Sequence, residues 1–279
     1  MHNREILTSP DNKKIKELQQ LGKKKYRREQ NAFVIEGIRF VESALEKSIA
    51  LKDVFYSSAL WDNERGTALI EAVEAKGYRL HEVAPKLFDA ISDTVNSQGV
   101  LAVAPMMPEV LDTDILEGET TYLSLVLDRI QDPGNLGTMI RTADAAGIKD
   151  IFLVKGTTDP YSTKVLRSTM GSIFDVRLHM LDTDEVIAYA EQHGIRLVVT
   201  SLDASLYHYE LAVQDKLAIV IGNEGNGVSK EFLEAADDLI KIPIYGGAES
   251  LNASVAAGIV LYDFAIRQKK LMKMDFSIR

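Results

Sequence analysis

The sequence predicts an α/β protein of two domains, the second built on a parallel sheet, and three observations carry this. Short apolar runs alternate with segments of helical periodicity along most of the chain, the pattern of strands joined by helices. In the C-terminal half the runs are continuously apolar, as in Leu217-Ala218-Ile219-Val220-Ile221, and such strands need cover on both faces. A length of 279 residues suits two cores of ordinary size. The aperiodic stretch from Pro105 to Asp114 separates two such series. The expected boundaries are 1–104, a linker at 105–119, and 120–279.

In the first series, Ser9-Pro10-Asp11-Asn12 offers caps for a helix with Ile15, Leu18 and Leu21 on one face, ended by Gly22 and the Lys-Lys-Lys run. Phe33-Val34-Ile35 reads as a strand, and Gly37 to Lys47 as a helix burying Ile38, Val41, Ala44 and Leu45. A strand at Asp53 to Tyr56, a helix from Asn63 to Lys76, a strand at Tyr78 to Val83, a helix near Lys86 to Ile91 and a strand at Gly99 to Val103 complete it. The second series has strands at Leu123 to Leu127, Ile151 to Val154, Leu197 to Thr200 and Leu217 to Ile221, with helices at Leu136 to Ala146 and Ala253 to Gln268.

Composition removes several function classes. With no cysteine the chain makes no disulfide, thiolate metal site, iron–sulfur cluster or cysteine nucleophile. Neither a basic-then-apolar leader nor a membrane-spanning apolar stretch is seen, so a cytoplasmic location is expected. Net charge is −9, yet residues 11 to 30 hold eight basic and three acidic side chains. A concentrated positive segment on an acidic body can hold phosphates; a solvated helix face would give the same pattern.

Three segments place glycines and polar side chains directly after strands, at the carboxyl ends where open α/β sheets bind ligands. Asp128 to Ala143 runs from a strand through Pro133-Gly134 into a helix, with Asn135 as a cap near its start and Arg141 six residues later. Gly222-Asn223-Glu224-Gly225-Asn226-Gly227 has the spacing G-x-x-G-x-G, which is neither the dinucleotide fingerprint nor a P-loop. A hydride-transferring or nucleotide-hydrolysing reading loses its main support. Ile242 to Gly258 carries Ser250 and Asn252 at the mouth of a helix of small residues. Taken singly, Arg141 also reads as a surface arginine, Glu224 as a turn carboxylate, and Ser250 and Asn252 as caps.

In this order and spacing the three segments resemble the motifs of the SpoU/TrmH family of RNA ribose 2′-O-methyltransferases, within the SPOUT superfamily, over Tyr122 to Gln268. Residues 10 to about 104 resemble the RNA-substrate-binding domain that accompanies many members, through Ser9-Pro10, the basic helix and Phe33-Val34-Ile35-Glu36-Gly37. The resemblance implies a parallel-sheet SPOUT domain with a deep trefoil knot, preceded by a small α/β RNA-binding domain. It implies S-adenosylmethionine as cofactor, touched by Gly222, Ile242 and Leu251 with Thr200 as a fourth contact, and a homodimer through the knot region near Ala253. Asn135, Arg141, Glu224, Ser250 and Asn252 form the catalytic polar set. On this reading Asn135 and Asn252 fix Arg141 and the ribose, Glu224 pairs with an arginine, and Ser250 supports the loop. Some proposals make the arginine a general base. A guanidinium stays protonated, so stabilising charge on the oxygen is the easier role.

No metal is called for. The implied partner is RNA, ribosomal before transfer RNA, met by Lys23, Lys24, Lys25, Arg27 and Arg28. Tyr26 stands among them either to stack on a base or to pack inward. Arg267, Lys269, Lys270 and Lys273 form a second basic cluster, which a helix-end charge preference also explains. Ala253 replaces a commoner valine, and Gly246-Gly247-Ala248-Glu249 makes a flexible lead into Ser250. The alternatives are a non-catalytic RNA-binding or ribosome-assembly protein, a tRNA ribose methyltransferase, and an enzyme methylating a base nitrogen.

Overall fold

The computed structural model describes residues 6–94, 96–107 and 121–271. Most of the expected linker, and Lys273, lie outside the described residues. Two compact units form, one from the residues up to 107 together with 159–174, the other from the remainder. By sequence position 159–174 belongs to the second domain; its side chains pack into the first unit instead. Tyr161 lies 4.9 Å from Phe33 between ring centroids, Phe174 meets Phe40 edge-on at 5.5 Å, and Asp159 pairs with Arg27.

Elements are numbered in chain order. The first unit holds a four-stranded sheet in the order β1-β4-β2-β3, with β1 at Ala32–Glu36, β2 at Asp53–Tyr56, β3 at Leu80–Glu82 and β4 at Val100–Pro105. β4 is antiparallel to both neighbours, and β2 and β3 are parallel. The helices are α1 (Lys13–Gln20), α2 (Lys24–Gln30), α3 (Ile38–Glu46), α4 (Glu64–Ala75) and α5 (Pro85–Ile91), with α7 (Thr163–Thr169) from the later segment. Asn12 caps α1 by accepting from the Lys14 N–H, and Ile15, Leu18 and Leu21 pack with Phe55, Phe88 and Leu101. The lysine run does not end helical structure. After Gly22 the chain restarts as α2, which stops at Asn31 in the left-handed region at φ 45°. Its seven residues hold only Arg27 buried, so there was no apolar period to read.

The second unit holds a seven-stranded sheet in the order β7-β6-β5-β10-β8-β11-β9. Every pairing in it is parallel. The strands are β5 (Tyr122–Leu127), β6 (Asp150–Val154), β7 (Arg177–Leu181), β8 (Arg196–Thr200), β9 (Leu206–Tyr207), β10 (Lys216–Ile221) and β11 (Asp238–Lys241). The helices are α6 (Pro133–Ala146), α8 (Thr183–His193), α9 (Lys230–Glu234) and α10 (Ala253–Leu271). Tyr122, Val126, Ala218 and Val220 face a core with Val186, Tyr189 and Phe232 on one side. Leu125, Leu127, Leu217, Ile219 and Ile221 are buried on the other, which is why β5, interrupted by Ser124, and β10 read as nearly continuous apolar runs. β7 and β11 are less legible: β11 buries only Ile240, and β7 carries the polar His179 inward to Asp150. Between β5 and β10 the strand order reverses, the position at which open α/β sheets form a ligand crevice.

Candidate active site

A cleft of about 840 Å³ opens at the carboxyl ends of β8, β10 and β11, a size usual for small-ligand sites. Thr200, Gly222, Ile242 and Leu251 all line it, as do Asn135, Glu224, Ser250 and Asn252. Arg141 does not.

The glycine loop forms the floor. A Cβ on Gly222 would stand 2.3 Å from the Gly227 carbonyl carbon and from the Val228 nitrogen, so the close approach that requires glycine is the chain's own. Asn223 N donates to Gly227 O at 3.0 Å, and Gly227 N returns to Asn223 O at 2.9 Å. The Asn223 side chain holds the turn by accepting from Gly225 N and Asn226 N and donating to Arg129 O. Asn223 was not singled out from the sequence, although an Asn within a glycine loop signals a side-chain-held turn. Thr200 Oγ1 donates to Val220 O at 2.9 Å, joining the ends of β8 and β10.

A relay of side-chain hydrogen bonds links the three motif segments. Glu224 Oε1 accepts from Asn135 Nδ2 at 3.0 Å and from Asp132 N at 3.1 Å, and Oε2 accepts from Gln131 N at 3.0 Å. Asn135 Oδ1 accepts from Asn252 Nδ2 at 2.9 Å. Asn252 Oδ1 accepts from Ser254 N and Oγ at the start of α10. An ionised carboxylate only accepts, so Glu224 orients the Asn135 amide, and that amide in turn orients Asn252. Burial pushes the Glu224 carboxyl up, but the hydrogen bonds from Asn135 and from the N–H groups of Gln131, Glu224 and Asp132 outweigh it and hold it below its ordinary value.

Four expectations change. Asp132, not Asn135, caps α6, accepting from Asn135 N at 2.8 Å with Pro133 in the first turn. Glu224 binds main-chain N–H groups and an asparagine, not an arginine. Asn135 and Asn252 bond each other rather than Arg141. Six residues beyond Asn135, Arg141 is turned about 120° around α6 and is exposed. Among the described residues it has no hydrogen-bond or ion-pair partner.

In the first unit, Lys23, Lys24, Lys25 and Arg28 are exposed and Tyr26 is half-buried. Arg27 is not a surface cation. It is 5% exposed, donates to Leu21 O at 2.7 Å and pairs with Asp159. Lys14 and Lys16 are engaged by Asp53 and Asp11, and Lys25 by Glu29 at 3.8 Å, so free positive charge concentrates on Lys23, Lys24 and Arg28. At the other end of the chain Arg267 is also committed, to Asp263 and to the carbonyls of His208 and Leu211.

A parallel-sheet α/β protein with an apolar-walled cleft at its strand reversal, and a preset amide relay along one side, is a small-cofactor enzyme by architecture. Residues 122–262 match the SpoU rRNA Methylase family, and residues 12–102 match the MRM3-like substrate binding domain. The 23S rRNA (guanosine(2553)-2′-O)-methyltransferase RlmP of Bacillus subtilis (strain 168) is 35% identical over 256 residues, covering 92% of this chain and 97% of that protein. The 23S rRNA (guanosine-2′-O-)-methyltransferase RlmB of Vibrio parahaemolyticus is 33% identical, covering 87% of this chain and 99% of its own length. The AdoMet-bound rRNA methyltransferase from Sinorhizobium meliloti shares the fold with a TM-score of 0.83 at 34% identity, over 94% of this chain and 97% of that one. This chain belongs to the SpoU rRNA methylase family.

The cleft fits S-adenosylmethionine. Ile240, Ile242, Ile244 and Leu251 supply apolar walls for a purine, and the main chain of the 222–227 loop presents polar groups beside them.

Proposed function

We propose that this protein transfers the methyl group of S-adenosylmethionine to the ribose 2′-hydroxyl of a guanosine in 23S ribosomal RNA. The observation that carries this reading is the Glu224–Asn135–Asn252 relay, which draws the three motif segments together beside a cleft of cofactor size. The named relatives supply the substrate class.

S-Adenosylmethionine brings an activated methyl on a sulfonium and leaves as the neutral thioether while the hydroxyl proton passes to solvent, so the chain has to position the reacting oxygen. Ile242 and Leu251 hold the purine; Gly222 and Thr200 shape the floor. Asn135 and Asn252 present fixed amides at the rim, with Ser250 beside them. Glu224 is a poor proton acceptor, because three N–H donors stabilise its ionised form. Arg141, exposed and outside the cleft of its own chain, stays charged and serves to engage an RNA phosphate beside the reacting ribose, where its charge favours the developing oxyanion. Lys23, Lys24 and Arg28 hold phosphates further along the RNA.

The same reading gives the C-terminal segments a knotted path and the protein a cytoplasmic, homodimeric state. Val255, Ile259, Tyr262 and Ile266 form an exposed stripe along α10 that suits a second copy. Incubation with methyl-labelled S-adenosylmethionine and rRNA from cells lacking the protein, followed by nuclease digestion and mass spectrometry, tests the reaction. Labelled 2′-O-methylguanosine is expected; label on a base nitrogen, or binding of RNA and cofactor with no transfer, rejects it.

A further inference from the structure

The edge of the parallel sheet carries an aromatic column that the methyl transfer outlined above leaves unused. β9 lies beside β11, with Tyr207 in register with Lys241. β9 ends at Tyr207, and the turn that follows buries the His208 ring and leaves Tyr209 exposed, the two rings meeting edge-on at 5.1 Å between centroids. On the His208 side, its Nδ1 lies 2.9 Å from Asp263 Oδ2 on α10. Arg267 binds the same carboxylate and donates to the carbonyls of His208 and Leu211 at 2.9 and 2.6 Å. The backbone is thereby clamped to α10 on both sides of Tyr209.

The Lys241 ammonium sits 5.5 Å from the Tyr207 ring centroid. The rings of Tyr207 and Tyr209 stack at 5.6 Å with 16° between their planes. Tyr209 is 48% exposed and Tyr245 is 91% exposed. Partial burial, then Tyr245, Glu210 and Tyr207, push the Tyr209 phenol above its ordinary value. All strands of a parallel sheet end on one side, so the column stands on the same rim as the cleft. Lys241 and Ile244, the residue before Tyr245, are both in the cleft wall.

A rigidly backed stack that ends in an exposed ring gains from one more flat π-system, and a lysine at its base adds positive charge without covering the open end. The surface suited to a second copy is a different one, the apolar stripe of α10. We propose that the Tyr207–Tyr209 stack, backed by Lys241 and with the exposed Tyr245 on the same rim, forms a stacking platform for an unpaired nucleobase of the RNA substrate, close to the reacting ribose. This rests on the methyl-transfer reading for its ligand and extends it to a base-binding subsite.

The test is fluorescence anisotropy of a labelled single-stranded RNA of about twelve nucleotides with the full-length protein, in about 0.2 M salt, where phosphate contacts weaken and stacking persists. The double variant Tyr209→Ala, Tyr245→Ala is expected to bind about tenfold more weakly or worse. The corresponding double Phe variant, which keeps both rings, stays within about twofold of wild type. Cofactor affinity by calorimetry is expected to be the same in all three. Unchanged RNA affinity in the Ala variant overturns the platform, as does a change in its sedimentation, which would assign the rings to a contact between copies. Loss of cofactor affinity also overturns it, since the rings would then be shaping the cleft. A wild-type protein that binds RNA through these rings yet methylates none would reject the proposed reaction and leave the platform standing.

Discussion

The side-chain amide of Asn252, at the start of α10, donates to the amide oxygen of Asn135, in the first turn of α6, at 2.9 Å across 117 residues of sequence. Because Asn135 is itself oriented by Glu224, both amides have one allowed orientation. The carboxylate therefore acts at a distance, through two asparagines, on the entrance of α10.

Asn135→Asp places a second carboxylate against Glu224 and removes the donor it needs. Methyl transfer is expected to fall at least tenfold, since small displacements of positioning groups are costly. Asn135→Ala, which leaves the Asn252 donor unpaired, is expected to lose somewhat less. Single-turnover rates with saturating cofactor check both.

Gly222→Ala forces a Cβ into the Gly227–Val228 backbone at 2.3 Å, and neither neighbour is a side chain that can swing away. The loop cannot close as it does now. Cofactor affinity measured by calorimetry is expected to drop by more than tenfold, whereas Gly246→Ala, where nothing lies within 4 Å, is expected to be silent.

Arg141→Ala removes an exposed side chain that supports no other group. Thermal stability and cofactor affinity should be unchanged, with methylation lost. A loss of cofactor affinity with turnover retained would contradict the role given to Arg141.

Arg27 and Arg28 are expected to behave as opposites. Replacing Lys23, Lys24 and Arg28 with Ala should leave the melting temperature alone, weaken RNA binding and flatten its salt dependence. Arg27→Ala should destabilise the first unit by about 2 kcal/mol, because it strands Asp159 and the Leu21 carbonyl. Denaturant unfolding alongside salt titrations separates the two effects.

Asp150 makes part of the stability pH-dependent. Burial pushes its carboxyl up, but hydrogen bonds from Arg177 at 2.6 and 2.7 Å and from His179 at 2.8 Å outweigh it and hold it below the ordinary 3.8. A folded value below the unfolded one means the contribution is complete above about pH 4 and is lost as pH falls through the folded value. Asp150→Asn is expected to cost about 2 kcal/mol at neutral pH and progressively less below about pH 4. Urea unfolding across that range reads the difference.

The residue types of the site were legible because strand ends and glycine loops mark where open α/β sheets bind ligands. Gly222, Glu224 and Asn252 could be chosen on that basis without coordinates. Most strands and helices were legible for a similar reason, since Leu217 to Ile221 or Ile15, Leu18 and Leu21 carry their burial in their spacing. β11 and α2 were not, since each buries a single side chain.

Sequence alone determined the alternation of strands and helices, the cores, and the family to which the motifs belong, because apolar spacing and turn chemistry are local properties of the chain. Tertiary structure decided what the polar groups do. Arg27 and Arg28 are neighbours of one charge, and helix phase buries the first against Asp159 while leaving the second in water. Glu224 found asparagine and main-chain donors rather than an arginine. The partner of a polar side chain is set by what the fold brings within 3 Å, over separations that no local pattern records.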